Sequence, residues 1–456
     1  MSQPELADLA ASVVDRAVPG EQMEVYVARG HDTEIRAYDG EVESLSSATS
    51  GGVGIRIVLA GEGDDAGNRA GFAWAGSLEP EVVAATLAEA RDNAVYATPD
   101  PDVVLATPDG VPAAELDLWD PAFAATPTDR KVELALALER QVRAADPRIR
   151  QVDSADYGDG SVEVALASTT GIRATTRRTS AFLSVSAIAG EGADSQTGGG
   201  FTVGRSAGDL DPDRAAADAV ERAVRMLGAG KARSGRCAVV FDPRVVSTLL
   251  SVVSSALSGE AVVKGRSFFA GRIGEQVATP AVTLVDDPTD PRAYGAATYD
   301  GEGLACRRNV LVEAGVLQGF LFDTVSARRA GTASTGSAVR GGFAGTPGAG
   351  CRALVLAPGA LDQAAILAEV GEGLYVQSVT GVHSGVNAVS GDFSVGAEGL
   401  MIRDGQLAEP VREVTVASTL QRMLQSILHV GGDVEWLPGI AAGQTLAVDD
   451  MALSGA

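Results

Sequence analysis

The sequence contains few histidine, cysteine and aromatic residues. Among 456 residues there are three histidines and three cysteines, and aromatic residues make up 5% of the chain. The cysteines are odd in number and far apart, at Cys237, Cys306 and Cys351. This usage fits a reducing compartment better than a framework of disulfide bonds.

Basic residues are also scarce relative to acidic ones. The chain has 36 Lys and Arg residues against 60 Asp and Glu residues, and its formal net charge is -24. A field of this sign repels the phosphate backbone of nucleic acids and anionic membrane surfaces. We therefore expect neither a nucleic-acid partner nor a membrane partner.

Long apolar runs are absent from the sequence. No uninterrupted apolar stretch reaches the ~18 residues that are needed to span a bilayer. The N-terminal segment, MSQPELADLAASVVDRAV, lacks the basic start and continuous apolar centre of a signal peptide. Together with the cysteine usage, these features predict a cytoplasmic protein.

Strand-like runs and helical periodicity occur in a repeated order. A helix, a meander of strands and a second helix are predicted within residues 1–96, and again within 129–230. Residues 97–128 between them contain six prolines and little periodicity. Strands that are grouped between helices favour an α+β architecture over alternating βαβ units.

A small, basic and flexible composition at residues 228–236 indicates a domain boundary. We predict an N-terminal domain over 1–230, in which 1–96 and 129–230 are candidate sub-units joined by the Pro-rich linker. A second domain is predicted over 236–456. The predicted fold class is α+β: an N-terminal α/β domain with antiparallel sheets and flanking helices, then a C-terminal β-rich domain with a buried helix.

Two local predictions concern rare histidines. The Gly30-His31-Asp32 sequence predicts one turn of an antiparallel meander, and Asp39-Gly40 predicts a second. A final helix is predicted from about Val416 to His429, where an imidazolium would face the negative end of the helix dipole.

Residues 371–413 combine frequent glycines with β-branched and aromatic runs and with His383. Glycine in strand-like sequence marks turns, bulges or a close approach to the backbone. His383, Ser384 and Asp392 could be interpreted as a Ser-His-Asp set. We favour a packed or pocket-lining histidine, because adjacent residues on a strand point to opposite faces. A metal site on His383 would have only one strong ligand.

Four segments carry a resemblance to a known family. They are DGEVESLSSATSGGVGIRIV (39–58), SFFAGRIGEQVATPAVTLVDDPTD (267–290), DGEGLACRRNVLVEAGVLQGFLFDTVSARRAGTASTG (300–336) and TGVHSGVNAVSGDFSVGAEGLMIRDGQLAEPVREVTVAST (380–419). In order and spacing these segments resemble the TldD/TldE family, also called PmbA or "modulator of gyrase".

The resemblance implies a choice between two kinds of subunit. The TldD kind is a metallopeptidase with a His-Glu-x-x-x-His motif on a helix of the second domain and a cysteine ligand near the C-terminus. Two such imidazoles bind one zinc ion, and the glutamate serves as base for the metal-bound water. The corresponding helix here would lie between Pro243 and Lys264, where Glu260 has no histidine beside it.

The ligands of that zinc site are missing from this sequence. No histidine lies between His31 and His383, and no cysteine follows Cys351. The chain therefore looks like the TldE/PmbA-type subunit. Within the family, this implies a non-catalytic partner of a heterodimeric zinc metallopeptidase that degrades or processes unfolded or leader peptides.

The same resemblance implies that zinc belongs to a TldD-type partner, with no cofactor, catalytic residue or metal ligand in this chain. In the partner's absence a homodimer is the alternative assembly. Two other functions stay open: a self-sufficient homodimeric peptidase or hydrolase with a site near His383, and a standalone peptide-binding module. The candidate residues for a peptide channel or an interface are His383, Ser384, Asn387, Asp392, Arg328, Arg340 and Glu260.

Overall fold

A computed structural model of the chain describes residues 3–61 and 67–455. The N-terminal half forms α1 (Gln3–Val14), β1 (Glu21–Tyr38), β2 (Glu41–Leu59), β3 (Arg69–Ala75), α2 (Pro80–Tyr96), α3 (Thr128–Ala145), β4 (Ile149–Ser168), β5 (Arg173–Ala189), β6 (Gln196–Gly204) and α4 (Pro212–Val224). Single turns of 3₁₀ helix occur at Phe123–Ala125, Gly192–Asp194 and Ala207–Asp209.

These strands build one antiparallel sheet in the order β3-β2-β1-β4-β5-β6. The element order helix-strand-strand-strand-helix occurs twice along the chain, and the first strand of each half, β1 or β4, pairs with the other at the centre. Alternate residues of β1, such as Met23 and Val25, pack in a core with α1 and α2. The residues between them, such as Glu24 and Tyr26, therefore point to the opposite face, which meets the C-terminal half.

The predicted turn at Gly30-His31-Asp32 is wrong. All three residues lie within β1, where His31 pairs with Thr49 of β2 on one side and with Ser161 of β4 on the other. The second predicted turn, at Asp39-Gly40, is confirmed, since these residues connect β1 to β2 and both have positive φ angles. Pairing along both edges of a central strand outweighs the local turn preference of a Gly-x-Asp sequence.

The C-terminal half begins with a strand and two consecutive helices. Its elements are β7 (Gly235–Phe241), α5 (Pro243–Ala256), α6 (Gly259–Val263), β8 (Leu284–Asp286), β9 (Asn309–Glu313), β10 (Val316–Leu317), α7 (Thr324–Arg329), β11 (Ala338–Val339), β12 (Gly348–Ala349), β13 (Leu354–Leu356), α8 (Gln363–Val370), β14 (Gly373–Thr380), α9 (Val382–Gly385), β15 (Asp392–Arg403), β16 (Gln406–Thr419), α10 (Leu420–Gln425), β17 (Ile427–Val430) and β18 (Leu446–Ser454).

The largest sheet of this half has the order β16-β15-β14-β7-β18-β17 and is joined further by pairing of β16 with β18. A smaller sheet has the order β10-β9-β8-β13. The apolar residues of α5, among them Val246 and Leu250, belong to the core that both sheets share. The predicted α+β class, with antiparallel sheets and a buried helix in a β-rich second half, is confirmed. The proposed domain division at residues 228–236 stays a prediction.

The predicted helix from Val416 to His429 is also wrong. Strand β16 continues to Thr419, α10 occupies a short stretch, and His429 lies in β17, paired with Ala447. Val416 pairs with Val395 and Leu453 on its two sides. A short apolar run fits both periodicities, and here sheet pairing decides between them. No helix in residues 3–61 and 67–455 is both long and apolar enough to cross a membrane.

Candidate functional site

A cleft lies between the exposed face of the N-terminal sheet and the C-terminal half. It contains one cavity of about 690 Å³ beside α6 and a second of about 630 Å³ against β4 and β5. Arg178 of β5 and Arg352, which follows β12, line both cavities. These two side chains therefore stand where the two cavities adjoin.

The wall of the first cavity is built by the end of α5 and by α6. The chain turns sharply between these helices, and the Gly259 amide donates to the Leu321 carbonyl at 2.6 Å. A Cβ at Gly259 would overlap the Phe322 ring, so this position requires glycine. Glu260 lines the cavity and forms an ion pair with Lys264, one turn further along the chain.

A buried ion network connects the N-terminal sheet to the C-terminal half. The Glu24 carboxylate accepts from Arg56 at 3.0 Å and from Arg340, whose side chain is 2% exposed. The Arg340 guanidinium also lies over the Tyr26 ring, 4.8 Å from its centre. Burial alone would raise the pKa of Glu24, but Arg340 and Arg56 hold it below its ordinary value. Arg340, a predicted channel or interface residue, therefore pairs with a carboxylate of the same chain and connects the two sides of the cleft.

A second buried carboxylate, Glu302, lies on the far side of Arg56. Its Oε1 atom is 3.8 Å from the Arg56 guanidinium, while Oε2 accepts from the Thr324 amide and hydroxyl at 2.9 and 2.6 Å. Burial raises the pKa of Glu302 to about 7, and the nearby Arg56 only partly opposes this. Neighbouring Asp300 accepts from three main-chain amides, including that of Ala338 at 3.0 Å, which secures the floor of the second cavity.

The raised pKa of Glu302 predicts a pH-dependent stability. The folded state binds this proton more tightly than the unfolded state, so the free energy of unfolding should fall as pH rises from about 4.5 to about 7. Glu302→Gln should remove up to about 3 kcal/mol of this fall, because the neutral amide does not ionise. Urea unfolding of the wild type and the variant at a series of pH values measures this fall in the free energy of unfolding. An unchanged pH dependence in the variant would assign the effect to other groups.

Arg352 is held by its main chain and by one side-chain hydrogen bond. Its amide and that of Ala353 donate to the buried Asp286 at 2.9 and 2.7 Å, and its Nη2 donates to the Ala338 carbonyl at 3.1 Å. The Nε atom of Arg352 is buried and has no hydrogen-bond partner within the described residues. The guanidinium is therefore held at the cleft, and its Nη1 atom forms no hydrogen bond within the described residues.

Arg328, the other predicted arginine, contacts the Pro-rich segment. It lies in α7 with its Nε 3.8 Å from Asp102, and the adjacent Arg329 pairs with Asp100. These contacts fix the start of segment 97–128 against the C-terminal half. Both cations are thus engaged by carboxylates of the same chain.

The predicted residues around His383 lie on an exposed loop. His383 and Ser384 are in the short helix α9 rather than in a strand, and both are exposed. The Ser384 hydroxyl donates to the Gly381 carbonyl at 3.2 Å, and Asp392 accepts from Ser390 at 2.6 Å. No hydrogen bond joins His383 to Ser384 or Asp392 among the described residues.

In the same loop, Asn387 and Gly385 contribute to the conformation of the main chain. The Asn387 side chain accepts from the Val389 and Ser390 amides at 2.9 and 3.1 Å, which closes a turn. A Cβ at Gly385 would overlap the Ser394 carbonyl oxygen. The space beside this glycine is therefore filled by the chain itself, and the structure offers no support for a peptide lying there.

The described residues do not form a zinc site of the kind that the resemblance implies for a TldD-type subunit. Within residues 3–61 and 67–455, no group of three or more His, Cys, Asp or Glu side chains could hold a metal. The lining of the first cavity offers one carboxylate, Glu260, and one thiol, Cys351. Burial raises the pKa of the Cys351 thiol well above its ordinary value, which disfavours the thiolate that binds metals.

Sequence reasoning missed Arg178, Arg352 and Glu24. Arg178 stands in the unremarkable run TTRRTS, Arg352 follows Cys351 without a motif, and Glu24 occupies a position in β1 that reads as solvated. Only the strand alternation of β1 held a usable signal, because it places Glu24 on the face opposite Met23 and Val25. The contact of that face with the C-terminal half has no local signature.

Comparison with known proteins gives one consistent family. Profiles of the PmbA/TldA metallopeptidase match in three parts: domain 1 at residues 23–94, the central domain at 121–227 and the C-terminal domain at 234–455. The chain is 28% identical over 435 residues to the metalloprotease PmbA of Escherichia coli O157:H7, which covers 95% of this chain and 92% of that protein.

Solved structures agree with these matches. A protein from Bacteroides thetaiotaomicron described as a modulator of DNA gyrase is 28% identical, with a TM-score of 0.87 over 99% of both chains. TldE from Thermococcus kodakarensis has the same fold, with a TM-score of 0.87 and 24% identity over 100% of both chains. The chain belongs to the PmbA/TldD metallopeptidase family.

Proposed function

We propose that this chain is the non-catalytic partner subunit of a TldD/TldE-type heterodimeric zinc metallopeptidase. The observation that carries the proposal is the histidine distribution. In a family of metallopeptidases, this chain has no histidine from residue 32 to residue 382, a range that includes all of α5 and α6. The zinc and the base for its water would then come from a TldD-type subunit.

The role of this subunit would be to complete the channel for an unfolded or leader peptide. The cleft supports this role because it contains two cavities of about 690 and 630 Å³ that share Arg178 and Arg352 in their linings. The strands β4 and β5 form one wall and the 296–303 segment forms another. Because β4 and β5 are paired on both edges, an extended chain would contact this wall through side chains rather than by adding as a strand.

Metal content and assembly test this proposal. We expect the chain purified alone to contain no stoichiometric zinc by elemental analysis, and to form a stable complex with a TldD-type subunit by light scattering. Stoichiometric zinc in this chain would favour the self-sufficient hydrolase. Failure to associate with the TldD-type subunit would favour a standalone peptide-binding module.

A further inference from the structure

We propose that Arg178 and Arg352 bind a carboxylate group of the peptide that enters the cleft. The proposal rests on the proposed function for its choice of a peptide as the ligand. The site itself is defined by the geometry of the cleft, since both side chains line both cavities. A guanidinium presents several donors in a plane and matches the two oxygens of a carboxylate.

Arg178 and Arg352 differ from several cations of the cleft region in having no carboxylate partner. In the cleft region Arg340 pairs with Glu24, Lys264 pairs with Glu260, and Arg307 pairs with Asp109 at 2.5 Å. Within the described part of the chain, neither Arg178 nor Arg352 forms an ion pair with a carboxylate. Arg177 and Arg266, which each line one of the cavities, likewise form no ion pair in the described chain, so the cleft holds several cations without a carboxylate partner.

Cationic side chains outnumber carboxylates in the lining of each cavity. The first cavity is lined by the cations Arg178, Lys264, Arg266 and Arg352 and by one carboxylate, Glu260. The second is lined by Arg177, Arg178, Arg340 and Arg352 and by one carboxylate, Asp300. Even with Arg340 paired to the buried Glu24, each lining carries more cations than carboxylates inside a strongly acidic protein, which favours an anionic group at this place.

Both arginines keep hydrogen-bond donors that have no acceptor within the described residues. Arg352 uses Nη2 on the Ala338 carbonyl and its Nε is buried, while its Nη1 forms no hydrogen bond within the described residues. Arg178 has no hydrogen-bond partner for its guanidinium among the described residues. The nearby carboxylates of Asp286 and Asp300 accept from main-chain amides and form no ion pair with Arg352 in the described chain. An incoming carboxylate would supply the missing acceptors.

Two groups in a peptide carry this chemistry, the C-terminal carboxylate and the side chain of an acidic residue. Both would meet the same two guanidinium groups, so the site does not by itself choose between them. The two sources predict different results when the peptide is amidated at its C-terminus. An experiment with both kinds of peptide therefore identifies the source.

The test is a fluorescence titration of the full chain with short dansylated peptides of alanine and serine. One peptide has a free C-terminal carboxylate, one is its amide, and two further amides contain an internal Glu or Gln. We expect a carboxylate-bearing peptide to bind about tenfold tighter than its neutral counterpart. Preference for the free acid over its amide would assign the C-terminal carboxylate, and preference for Glu over Gln would assign a side chain.

Substitutions localise the effect. Arg178→Gln and Arg352→Gln should each reduce the preference to about threefold or less, since one guanidinium remains. Arg178→Gln breaks no hydrogen bond within the described residues, so it tests the site without loss of an internal contact. Arg148→Gln is the matched control, because Arg148 is exposed, pairs with Asp146 and lines neither cavity.

The proposal is overturned if the wild-type chain binds acid and neutral peptides equally, or binds none of them. It is also overturned if Arg178→Gln and Arg352→Gln, both folded by their unfolding midpoints, retain the full preference. The titration uses the chain without zinc or a partner. Its failure would leave the proposed function standing, and failure of the partner-subunit proposal would leave a measured carboxylate preference intact.

Discussion

Glu24→Ala is expected to lower the free energy of unfolding by about 3–5 kcal/mol, because it leaves two buried cations without their shared carboxylate. Glu24 is 2% exposed and accepts from both Arg56 and Arg340. Neither guanidinium can turn to solvent readily, since their side chains are 9% and 2% exposed. Urea unfolding of the variant and the wild type measures the difference.

The matched control is Glu133→Ala, which removes a carboxylate from an exposed pair with Arg140. Exposed pairs contribute little, so this variant should lose less than about 1 kcal/mol. If Glu24→Ala does not fold, Glu24→Gln retains the volume and one acceptor and should give a smaller loss in the same direction. Equal losses for Glu24→Ala and Glu133→Ala would show that the buried network does not hold the two halves together.

Gly198→Ala is expected to cost about 3 kcal/mol, because helix α4 lies directly against the main chain of β6 at this position. A Cβ there would overlap the Ala219 carbonyl oxygen and the Ala223 amide nitrogen, which are main-chain atoms that cannot turn away. Gly71 of β3 has the same relation to Ala90 and Ala94 of α2. The close contact of helix and strand is thus a repeated feature of both halves of the sheet.

The neighbouring Gly199 provides the control for Gly198→Ala. Its side-chain direction points to the exposed face, and the nearest atom to an added Cβ, the Val185 carbonyl oxygen, is 3.9 Å away. Gly199→Ala should change the free energy of unfolding by less than about 1 kcal/mol in either direction. Similar losses for the two variants would mean that α4 does not determine the requirement for glycine.

The repeated order of helices and strands could be predicted from the sequence because each element has a clear local period. The same is true of the buried helix α5, which is apolar on most sides and begins at Pro243. The family could be recognised from four sequence segments, and the three profile matches confirm it. These features depend on residues that are close together in the chain.

The errors arose where distant residues decide the structure. Nothing local shows that His31 has paired strands on both sides, or that Val416 has partners in two other strands. The arginines of the cleft illustrate the same point at the candidate site. Arg340 could be predicted as a channel or interface residue, but its partner Glu24 lies at the other end of the chain. Arg178 and Arg352 line the same cavities only because of the fold.

The candidate residues for peptide binding lie in the cleft and not in the loop that contains His383. The loop with His383 is exposed and closed by its own hydrogen bonds, whereas Glu260 lines a cavity with Arg178 and Arg352. The proposed role of this chain is therefore to present an electropositive space to a peptide while a partner supplies the metal. This role requires the cleft and the partner to act on the same substrate.

The most direct test is zinc-dependent cleavage of an unfolded peptide by this chain alone, by a TldD-type subunit alone and by their mixture. A variant of the TldD-type subunit without the glutamate of its zinc motif serves as the control. We predict no zinc-dependent cleavage by this chain alone, cleavage by the mixture well above either subunit alone, and loss of that cleavage with the control variant. Zinc-dependent cleavage by this chain alone would contradict the account.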